Sequence, residues 1–545
     1  MVRRRGEGGL SERRRILILG GGFAGLYTAL ELQKRLARRG RQEPHVEVAL
    51  VNRDNFHVFH PLLPEVLSGA IETVHILNPL RRLCPQVHLY RAEVEDIDLG
   101  ARTVTINRGS DAEPRVLQYD DLVLALGAAT DFSRVPGMAY HAFPFKTLGD
   151  AFYLRNHVID MLERADATDD PEERRTLLTF AVAGAGFAGV EAVAELNEFV
   201  REAATSYNHL PHREIQTILL SSSARILPEL DASLAAFATR KLREKGVDVR
   251  LGARVASVTP ETVVLQSGER LPTRTLVSTV GNAPHPLLAR LGLPADRSGR
   301  VAVDRFLAVP GFPGLWAAGD CASVPDPRQP GTSCPPTAQH AVRQATCLAA
   351  NILAAIDGHE RVLFTFRGLG QLASLGGHSA VAEVRGVKFS GLPAWLLWRA
   401  VYLSKLPGHE RRVRVWLDWM LDLTVKKDIV QLQVERTNAV VPAHFEPGQE
   451  IVRQNEVGQR FYIITSGTVE VVRTLPDGSE TVLRTQGEGE YFGEMALLGE
   501  GRRTATVRCV TPVEVVVLDR ADFLTLTTHL RSLRESVTAM MAQRR

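Results

Sequence analysis

The sequence has few of the features that mark extracellular, metal-binding or membrane-spanning proteins. Its 545 residues include five cysteines, which form no CxxC pair and no metal-site spacing. We therefore expect reduced, intracellular thiols that are mostly structural. The net charge of +3 is too small for a nucleic-acid-binding chain. No stretch of about 18 apolar residues is free of charge, so the sequence predicts no transmembrane helix.

The length predicts several domains, and a hydrophobic fraction of 45% is ordinary for a globular protein. Residues 1–14 form a basic leader. The apolar run that follows contains a glycine cluster, so we interpret it as a strand of the fold and not as the core of a signal peptide.

Two glycine-rich stretches predict two dinucleotide-binding sites. Arg15–Leu30 is RILILGGGFAGLYTAL, and Phe180–Leu196 is FAVAGAGFAGVEAVAEL. Each reads as a strand, a glycine turn and a helix, in which the backbone can approach a pyrophosphate and the helix N-terminus offers free N–H groups. A structural turn is the alternative for either stretch alone. Two copies in one chain indicate that two dinucleotides meet.

The residues expected to hold the ribose hydroxyls depart from the usual pattern. The second strand of the first fold, Val46–Val51, is followed by Asn52 where an acidic residue is typical, with Asp54 as the alternative. In the second fold the corresponding strand is followed by Ser221 and then Arg225. Serine does not repel a 2′-phosphate and arginine attracts one, so NADH and NADPH both stay open as the coenzyme.

Later segments complete the first fold. LWAAGDC at Leu315–Cys321 is a strand ending in Gly319-Asp320, where an aspartate can accept hydrogen bonds from a ribityl chain; a loop cap is the alternative. The helix in PPTAQHAVRQATCLAANI, residues 335–352, has small residues that let its N-terminus approach a flat ring. His57 and His60 are three residues apart, but no ligand cluster accompanies them, so we predict loop packing and no metal.

These motifs resemble those of type II NADH:quinone oxidoreductases. GGGFAG, YDDLVLALG (119–127), GAGFAGVE, LWAAGDC and PPTAQHAVRQ occur in the order found in that family, over about Arg15 to Leu432. The resemblance implies a single-chain, membrane-peripheral flavoprotein with FAD on the first turn and NAD(P)H on the second. It also implies that electrons pass from reduced FAD to a membrane quinone.

The resemblance also implies roles for individual residues. Glu191 matches the acidic residue beside the nicotinamide and flavin, and Gln339 lies in the quinone-side AQxAxQ motif, where Arg343 replaces the last glutamine. Glu191 and Gln339 are therefore the candidate catalytic residues. The implied FAD ligands are Gly20, Gly22, Phe23, Ala24, Gly25, Asn52, Arg53, Gly127, Gly319, Asp320, Ala338 and Gln339. The implied NAD(P)H ligands are Gly184, Gly186, Phe187, Gly189, Glu191, Ser221 and Gly281.

Two alternatives follow from the sequence. Sister families need paired cysteines beside the flavin, and no CxxxxC occurs in the first helix, which excludes a disulfide reductase. Cys321, Cys334 and Cys347 leave an enzyme like the sulfide:quinone oxidoreductases open. The departures from the family pattern described above leave a cyclic-nucleotide-sensing flavoprotein or scaffold with little turnover.

Residues 386–432 combine aromatic and basic side chains and hold four of the five tryptophans. Five apolar residues share one predicted helical face: Val413, Trp416, Leu417, Met420 and Leu421. From Arg399 to Arg414 there are five basic residues and one acid, a balance of +4. Such a segment is typical of an anionic membrane surface. Packing on the protein body or on a second copy is the alternative, and a homodimer is compatible with either.

The C-terminal part alternates short strands with glycine turns, which predicts a jelly-roll β-barrel. YFGEMALLGEGRRTATVRC at Tyr491–Cys509 resembles the phosphate-binding cassette of cyclic-nucleotide-binding domains. The implied nucleotide ligands are Phe492, Gly493, Glu494, Arg503 and Thr504. The Thr504 hydroxyl can reach a purine, so cAMP and cGMP both stay open, and a barrel that has lost its ligand is the alternative. Residues 521–545 are predicted to be helical.

The predicted fold is α/β, with two Rossmann-like domains, an amphipathic membrane-docking segment and a C-terminal β-barrel. The predicted parts are a basic leader (1–14), a split FAD-binding domain (15–143 and 306–385), an NAD(P)H-binding domain (144–305), the membrane-interface segment (386–432) and a cyclic-nucleotide-binding domain (433–545). The predicted activity is FAD-dependent, non-proton-pumping NAD(P)H:quinone oxidoreduction. We expect a peripheral protein of the cytoplasmic face of the inner membrane, with a quinone, an anionic membrane surface and a cyclic nucleotide as partners.

Overall fold

The computed structural model describes residues 14–39, 46–108, 114–329, 331–431, 441–456, 458, 460–475, 477–498 and 502–519. Residues 1–13 of the predicted leader and the predicted helix at 521–545 lie outside this set. The chain forms two compact units. Within the described residues, the first unit comprises Arg14–Asp131, Lys146–Phe152 and Val280–Lys427, and the second comprises Phe132–Phe145, Tyr153–Thr279 and the chain from Asp428 onward.

The strands and helices are numbered along the chain. The strands are β1 (Arg14–Leu19), β2 (Val46–Asn52), β3 (Phe56–Val58), β4 (Leu77–Pro79), β5 (His88–Arg91), β6 (Glu93–Asp98), β7 (Thr103–Asn107), β8 (Arg115–Gln118), β9 (Asp121–Leu124), β10 (Ala128–Thr130), β11 (Ala142–Pro144), β12 (Thr179–Ala183), β13 (Gln216–Leu220), β14 (Val247–Arg250), β15 (Val255–Val258), β16 (Thr262–Leu265), β17 (Arg270–Pro272), β18 (Thr275–Ser278), β19 (Asn282–Pro284), β20 (Val301–Ala302), β21 (Leu315–Ala317), β22 (Ala322–Ser323), β23 (Gly370–Ser374), β24 (Ala380–Val384), β25 (Val387–Gly391), β26 (Val441–Phe445), β27 (Glu450–Val452), β28 (Arg460–Ser466), β29 (Val469–Thr474), β30 (Glu480–Gln486), β31 (Tyr491–Phe492), β32 (Thr506–Cys509) and β33 (Val513–Asp519). The helices are α1 (Phe23–Arg38), α2 (Leu63–Ser68), α3 (Leu80–Leu83), α4 (Met138–His141), α5 (Leu148–Ala167), α6 (Pro171–Leu177), α7 (Phe187–Ala204), α8 (Ala232–Glu244), α9 (Pro286–Ala289), α10 (Ala338–Asp357), α11 (Leu392–Lys405), α12 (His409–Leu421) and α13 (Glu494–Leu498).

The central sheet of the first unit has five parallel strands in the order β21-β9-β1-β2-β5. Leu17 of β1 lies beside Ala49 of β2 and Leu122 of β9. The central residues of the three middle strands, Ile16–Leu19, Val48–Val51 and Leu122–Leu124, are apolar and buried, as parallel strands covered on both faces require. Because β2 and β9 lie on opposite sides of β1, the carboxyl end of β1 is a topological switch point, where open α/β sheets bind ligands.

The second unit contains the same arrangement. Its central sheet has five parallel strands in the order β11-β18-β12-β13-β14. Val182 of β12 lies between Leu219 of β13 and Val277 of β18, so a second switch point lies at the carboxyl end of β12. The predicted α/β fold class with two Rossmann-like domains is confirmed.

Antiparallel sheets make up the rest. The sheets β6-β7-β8 and β23-β24-β25 belong to the first unit, and β15-β16-β17 belongs to the second. The C-terminal part of the second unit has two four-stranded antiparallel sheets, in the orders β26-β33-β28-β31 and β27-β32-β29-β30. Alternate residues of these strands, among them Val469, Val471 and Val515, form its core. The closure of these sheets into a jelly roll stays a prediction.

Helices α11 and α12 belong to the first unit and follow the sheet β23-β24-β25. Trp395, Trp398 and Trp419 are buried, and the Arg399 guanidinium lies over the rings of Trp395 and Trp419 at 4.0 and 4.7 Å. Trp416 is instead exposed, together with the other four residues of its predicted apolar face. Across the described residues, no helix is long and apolar enough to span a bilayer.

Candidate functional site

The first glycine turn connects β1 to α1. Gly20 has a φ of +102°, and its N–H donates to the Val51 carbonyl at 2.8 Å. A Cβ on Gly25 would lie 1.8 Å from the Gly20 carbonyl oxygen, so the turn and the helix are too close for any side chain there. Gly22 caps α1 without a side-chain hydrogen bond, and a Cβ on it would meet nothing within 4 Å. The first N–H groups of α1, at Phe23 and Ala24, are therefore accessible to an anionic diphosphate.

The second turn, between β12 and α7, repeats this geometry. The Gly184 N–H donates to the Leu220 carbonyl at 3.0 Å, and a Cβ on Gly189 would lie 1.8 Å from the Gly184 oxygen. Gly186 caps α7 without a side-chain hydrogen bond, and a Cβ on it would also meet nothing within 4 Å; Phe187 is the first helical residue. Each unit thus places an uncapped helix N-terminus at its own switch point.

Side chains hold Gly21 of the first turn from both sides. The Asn52 Oδ1 accepts from the Gly21 N–H at 2.8 Å, and its Nδ2 donates to the Asp54 carbonyl at 2.8 Å. Burial lowers the pKa of His57 to about 4, so its ring is neutral at pH 7, and its Nδ1 lies 3.0 Å from the Gly21 carbonyl, to which it donates. Arg53 is largely exposed. The ribose-binding role of Asn52 stays a prediction, and in the structure its amide fixes the turn.

Gly319 and Asp320 follow β21 and lie against the start of α1, because a Cβ on Gly319 would be 2.9 Å from the Ala24 Cβ. The Gly319 N–H donates to the Gln344 Oε1 of α10 at 2.8 Å. Burial raises the pKa of Asp320, although Lys146 and Arg300 act in the opposite direction. The first turn, this aspartate and α10 therefore converge within the first unit.

The start of α10 is also uncapped, because Thr337 makes no side-chain capping bond to it, and Ala338 is its first residue. The Gln339 amide is held by the backbone beside β23: its Oε1 accepts from the Leu369 N–H at 3.0 Å and its Nε2 donates to the Gly370 carbonyl at 3.2 Å. Gln339 thus ties α10 to this strand. Gly127, which follows β9, has a φ of +69° and no neighbour within 4 Å of a Cβ.

Lys146 joins this group of residues, although it is not among the predicted site residues. Its Nζ donates to the Asn282 Oδ1 at 3.2 Å, and its N–H donates to the Asp150 Oδ2 at 3.0 Å. Burial lowers the pKa of Lys146, and Asp320 and Asp150 oppose that shift. Burial likewise lowers the pKa of His60, and the charge of Lys146 lowers it further. The only sequence signal was a lysine directly after the apolar run FPF, residues 143–145.

Two of the predicted coenzyme residues, Glu191 and Ser221, lie on the helix that follows the second turn and directly after the strand β13, respectively. Glu191 is buried one turn into α7. The Ser221 Oγ donates to the Ser223 carbonyl at 3.2 Å, and the Arg225 Nη2 donates to the Pro228 carbonyl at 2.6 Å. No acidic residue occupies the position after β13, so the coenzyme preference stays open. Gly281, predicted as a coenzyme ligand, lies in the first unit with a φ of +85°.

The cysteines do not support sulfide chemistry. All five are free thiols. Burial raises the pKa of Cys321 and Cys347 to about 11 and that of Cys334 above its usual value. A reactive cysteine needs a lowered pKa and a partner, so these thiols are in their inert form at neutral pH.

The C-terminal module brings its predicted ligands together. Gly493 has a φ of +94°, and a Cβ on it would lie 2.6 Å from the Arg503 Nη1. Arg503 and Glu494 are buried. The Arg503 Nη1 donates to the Gly493 carbonyl at 3.0 Å, its Nη2 donates to the Arg460 carbonyl at 2.8 Å, and its Nε makes no hydrogen bond. Phe492 is buried beside Tyr462, and Thr504 follows Arg503 on the chain.

The chain has two dinucleotide-binding folds, and in the first of them Asp320 and the N-terminus of α10 lie beside the glycine turn. This combination defines a nicotinamide-dependent flavoprotein oxidoreductase. Three family models match the chain: pyridine nucleotide-disulphide oxidoreductase over residues 14–345, the NDH2 C-terminal domain over 369–425 and the cyclic nucleotide-binding domain over 442–529.

Known proteins narrow this class. The type II NADH:quinone oxidoreductase Ndh of Mycobacterium tuberculosis is 32% identical over 426 residues, which cover 75% of this chain and 87% of that protein. A probable NADH dehydrogenase of Dictyostelium discoideum is 30% identical over 436 residues, covering 79% and 94%. NDH2 of Plasmodium falciparum, solved with NADH, has the same fold: its TM-score is 0.69 at 20% identity, covering 77% of this chain and all of that one. The chain belongs to the type II NADH:quinone oxidoreductases within the pyridine nucleotide-disulphide oxidoreductase family.

Proposed function

We propose that this protein passes electrons from NAD(P)H through FAD to a membrane quinone, without pumping protons, and that its C-terminal module regulates this activity by binding cAMP or cGMP. The observation that carries the proposal is the pair of uncapped helix N-termini, at Gly22 and Gly186, each behind a glycine turn at a sheet switch point. The named activities of the relatives and the match to the NDH2 C-terminal domain support it.

The first unit fits FAD. The accessible surface at Gly22 would take the diphosphate, Asp320 the ribityl hydroxyls, and the N-terminus of α10 at Ala338 the ring. When bound, FAD supplies the two-electron carrier between coenzyme and quinone. The chain's own residues position it: Asn52 and His57 fix the turn through hydrogen bonds to Gly21.

The second unit fits a nicotinamide dinucleotide at Gly184–Gly189, with Glu191 proposed to orient the nicotinamide or relay a proton. Gln339 is proposed for the quinone end, where its amide holds α10 against β23.

The matched variants Glu191→Gln and Gln339→Glu separate these roles. The first should slow flavin reduction by NADH, and the second should raise the KM for quinone while flavin reduction stays unchanged.

Anaerobic flavin bleaching tests the enzyme assignment. Purified protein is titrated with NADH and, separately, NADPH, and then reoxidised with a quinone. We expect bleaching by at least one coenzyme and recovery with the quinone. Flavin that neither coenzyme bleaches, or that no quinone reoxidises, contradicts the assignment.

We propose that α11 and α12 lie on an anionic membrane surface at the cytoplasmic face of the inner membrane. Trp416, Leu417 and Leu421 of α12 share one helical face and are each about half exposed, as is Leu396 of α11. A contiguous exposed apolar face of this kind marks a protein or membrane interaction site. The exposed basic residues Lys405 and Arg414 nearby add attraction to acidic lipid, whereas Arg399 is enclosed by Trp395 and Trp419.

Vesicle flotation tests this surface. The variant Leu417→Ser with Leu421→Ser should lose binding to anionic vesicles, whereas Val116→Ser, an equally exposed valine on β8, should bind like the parent chain. Vesicle binding that survives the double substitution contradicts the proposal. Sedimentation of the same variants reports whether this face joins two copies instead.

A further inference from the structure

The C-terminal module, from Val441 onward, contacts the rest of the second unit, which includes the predicted NAD(P)H-binding fold, at a small polar interface. The His141 Nε2, at the end of α4, lies 3.0 Å from both the N–H and the carbonyl oxygen of His444 in β26. Burial lowers the pKa of His141 to about 4, so the ring is neutral at pH 7. In one tautomer it accepts from the His444 N–H, and in the other it donates to the carbonyl.

Two further contacts close the same interface. The Gln449 Nε2 donates to the Thr259 Oγ1 at 3.2 Å. Gly137, which precedes α4, has a φ of +72°, and a Cβ on it would lie 1.8 Å from the Val258 oxygen and 3.2 Å from the His444 Cδ2. The α4–β26 interface, defined by His141, His444, Thr259 and Gln449, therefore has little room to shift without breaking hydrogen bonds.

One sheet connects this interface to the predicted nucleotide site. β26 is one edge of the sheet β26-β33-β28-β31, and β31 at the other edge ends at Phe492, directly before Gly493 and Glu494. Arg503 donates to the carbonyl of Arg460 in β28 and to that of Gly493. A cyclic phosphate would compete with these two carbonyls for the guanidinium donors. The guanidinium thus has two alternative sets of partners, one in the free module and one in the nucleotide complex.

On the other side, α4 adjoins the strands that form the second glycine turn. His141 directly precedes β11, whose Ala142 pairs with Leu276 of β18. The Ser278 Oγ donates to the Met138 Sδ at 3.7 Å, and the Thr279 Oγ1 donates to the Ala183 carbonyl at 3.1 Å. A displacement of α4 would therefore shift the carboxyl end of β12, where Gly184 begins the second glycine turn.

We propose that the α4–β26 interface transmits cyclic-nucleotide binding to the coenzyme site, so that the nucleotide changes the affinity for NAD(P)H and the coenzyme changes the affinity for the nucleotide by the same factor. This inference rests on the proposed function, because it requires both ligands to bind. Coupling between sites is typically about 5- to 150-fold. Equality of the two factors follows from linkage, whichever direction the regulation takes.

The test uses the full chain with FAD bound. The Kd for NAD⁺, which does not reduce the flavin, is measured with and without saturating cAMP or cGMP, and the Kd of each nucleotide is measured with and without NAD⁺. We expect one nucleotide to change the NAD⁺ affinity at least about fivefold, with a reciprocal effect of equal size. His141→Phe and, as a milder change, Thr259→Val should bring the factor close to one while each ligand still binds.

His209→Phe is the matched control, because His209 is an exposed histidine of the same unit away from this interface, and it should keep the full factor. Coupling that persists in both His141→Phe and Thr259→Val overturns the inference. So does a parent chain that binds both ligands with no change in either affinity. If neither cAMP nor cGMP binds the parent chain, the regulatory part of the proposed function fails as well, and the direct binding titration identifies that case.

Discussion

An added methyl group should destabilise the fold at one glycine of the first turn, Gly25, but not at another, Gly22. In Gly25→Ala the methyl would lie 1.8 Å from the Gly20 oxygen, whereas real Cβ contacts are essentially never shorter than 3.0 Å. Relieving this overlap requires α1 and β1 to separate. Overpacking costs about 1–3 kcal/mol, and alanine recovers about 1 kcal/mol over glycine within a helix. Because the overlap is with a backbone oxygen, we expect the upper end of that cost and a net loss of up to about 2 kcal/mol. The N–H groups of α1 shift as well, so this variant should purify with little FAD.

Gly22→Ala is the matched comparison. Gly22 has a φ of −70°, which any residue adopts, and its Cβ would meet no protein atom within 4 Å. This variant should fold normally but bind FAD more weakly, because the methyl group occupies the surface that the diphosphate would approach.

Thermal unfolding of flavin-free protein separates the two effects. We expect Gly25→Ala to melt lower, by about 2–4 °C for each kcal/mol, and Gly22→Ala to melt like the parent chain. The FAD content of purified protein and the Kd for added FAD complete the measurement. Full FAD occupancy in Gly25→Ala contradicts the close approach of helix and turn. Unchanged FAD affinity in Gly22→Ala contradicts the location of the diphosphate.

Three further predictions concern titration, redox and nucleotide binding. The pKa of His57 is about 4 in the folded chain and 6.5 when unperturbed, so the unfolded chain binds more protons between pH 4 and pH 6.5. The free energy of unfolding should therefore fall by up to about 3 kcal/mol as the pH drops from 6.5 to 4. In urea unfolding, the stability of His57→Phe should depend less on pH over this range. Lys146→Gln removes a positive charge near Asp320 and should lower the flavin midpoint potential, whereas Lys146→Arg keeps the charge and should keep the potential of the parent chain. Each tenfold loss of preference for the reduced flavin lowers the potential by about 30 mV, which a spectroelectrochemical titration measures. Arg503→Gln should abolish cAMP and cGMP binding in calorimetry and remove the donors to the Gly493 and Arg460 carbonyls. NADH:quinone activity without nucleotide should stay unchanged.

The glycine turns could be predicted from the sequence because their contacts are local. Gly25 touches Gly20, and Gly189 touches Gly184, within one strand–turn–helix segment. The spacing of the glycines along the chain therefore predicts the close contact between each turn and the helix that follows it. The apolar runs before each turn predicted the buried parallel strands for the same reason.

Contacts between distant segments could not be predicted. Nothing near Asn52 in the sequence indicates that its amide bonds Gly21, and nothing near Lys146 indicates that it meets Asn282. Periodicity found the apolar face of α12 around Trp416, but it could not show that Trp395 and Trp419 enclose Arg399. The positions of these side chains depend on tertiary packing, which the spacing of residue types along the chain does not predict.

The strand order of the first unit also determines when its parts can fold. β21 completes the central sheet by pairing Leu315 with Leu122 of β9, and every strand of the second unit's parallel sheet is synthesised before it. A nascent chain that has emerged from the ribosome as far as residue 300 therefore has every strand of the second unit's parallel sheet, whereas the first unit's parallel sheet still lacks β21 and its β9 edge is open. Unpaired apolar edges promote aggregation. Nascent chains stalled between β18 and β21 should accordingly be the ones that depend most on chaperones.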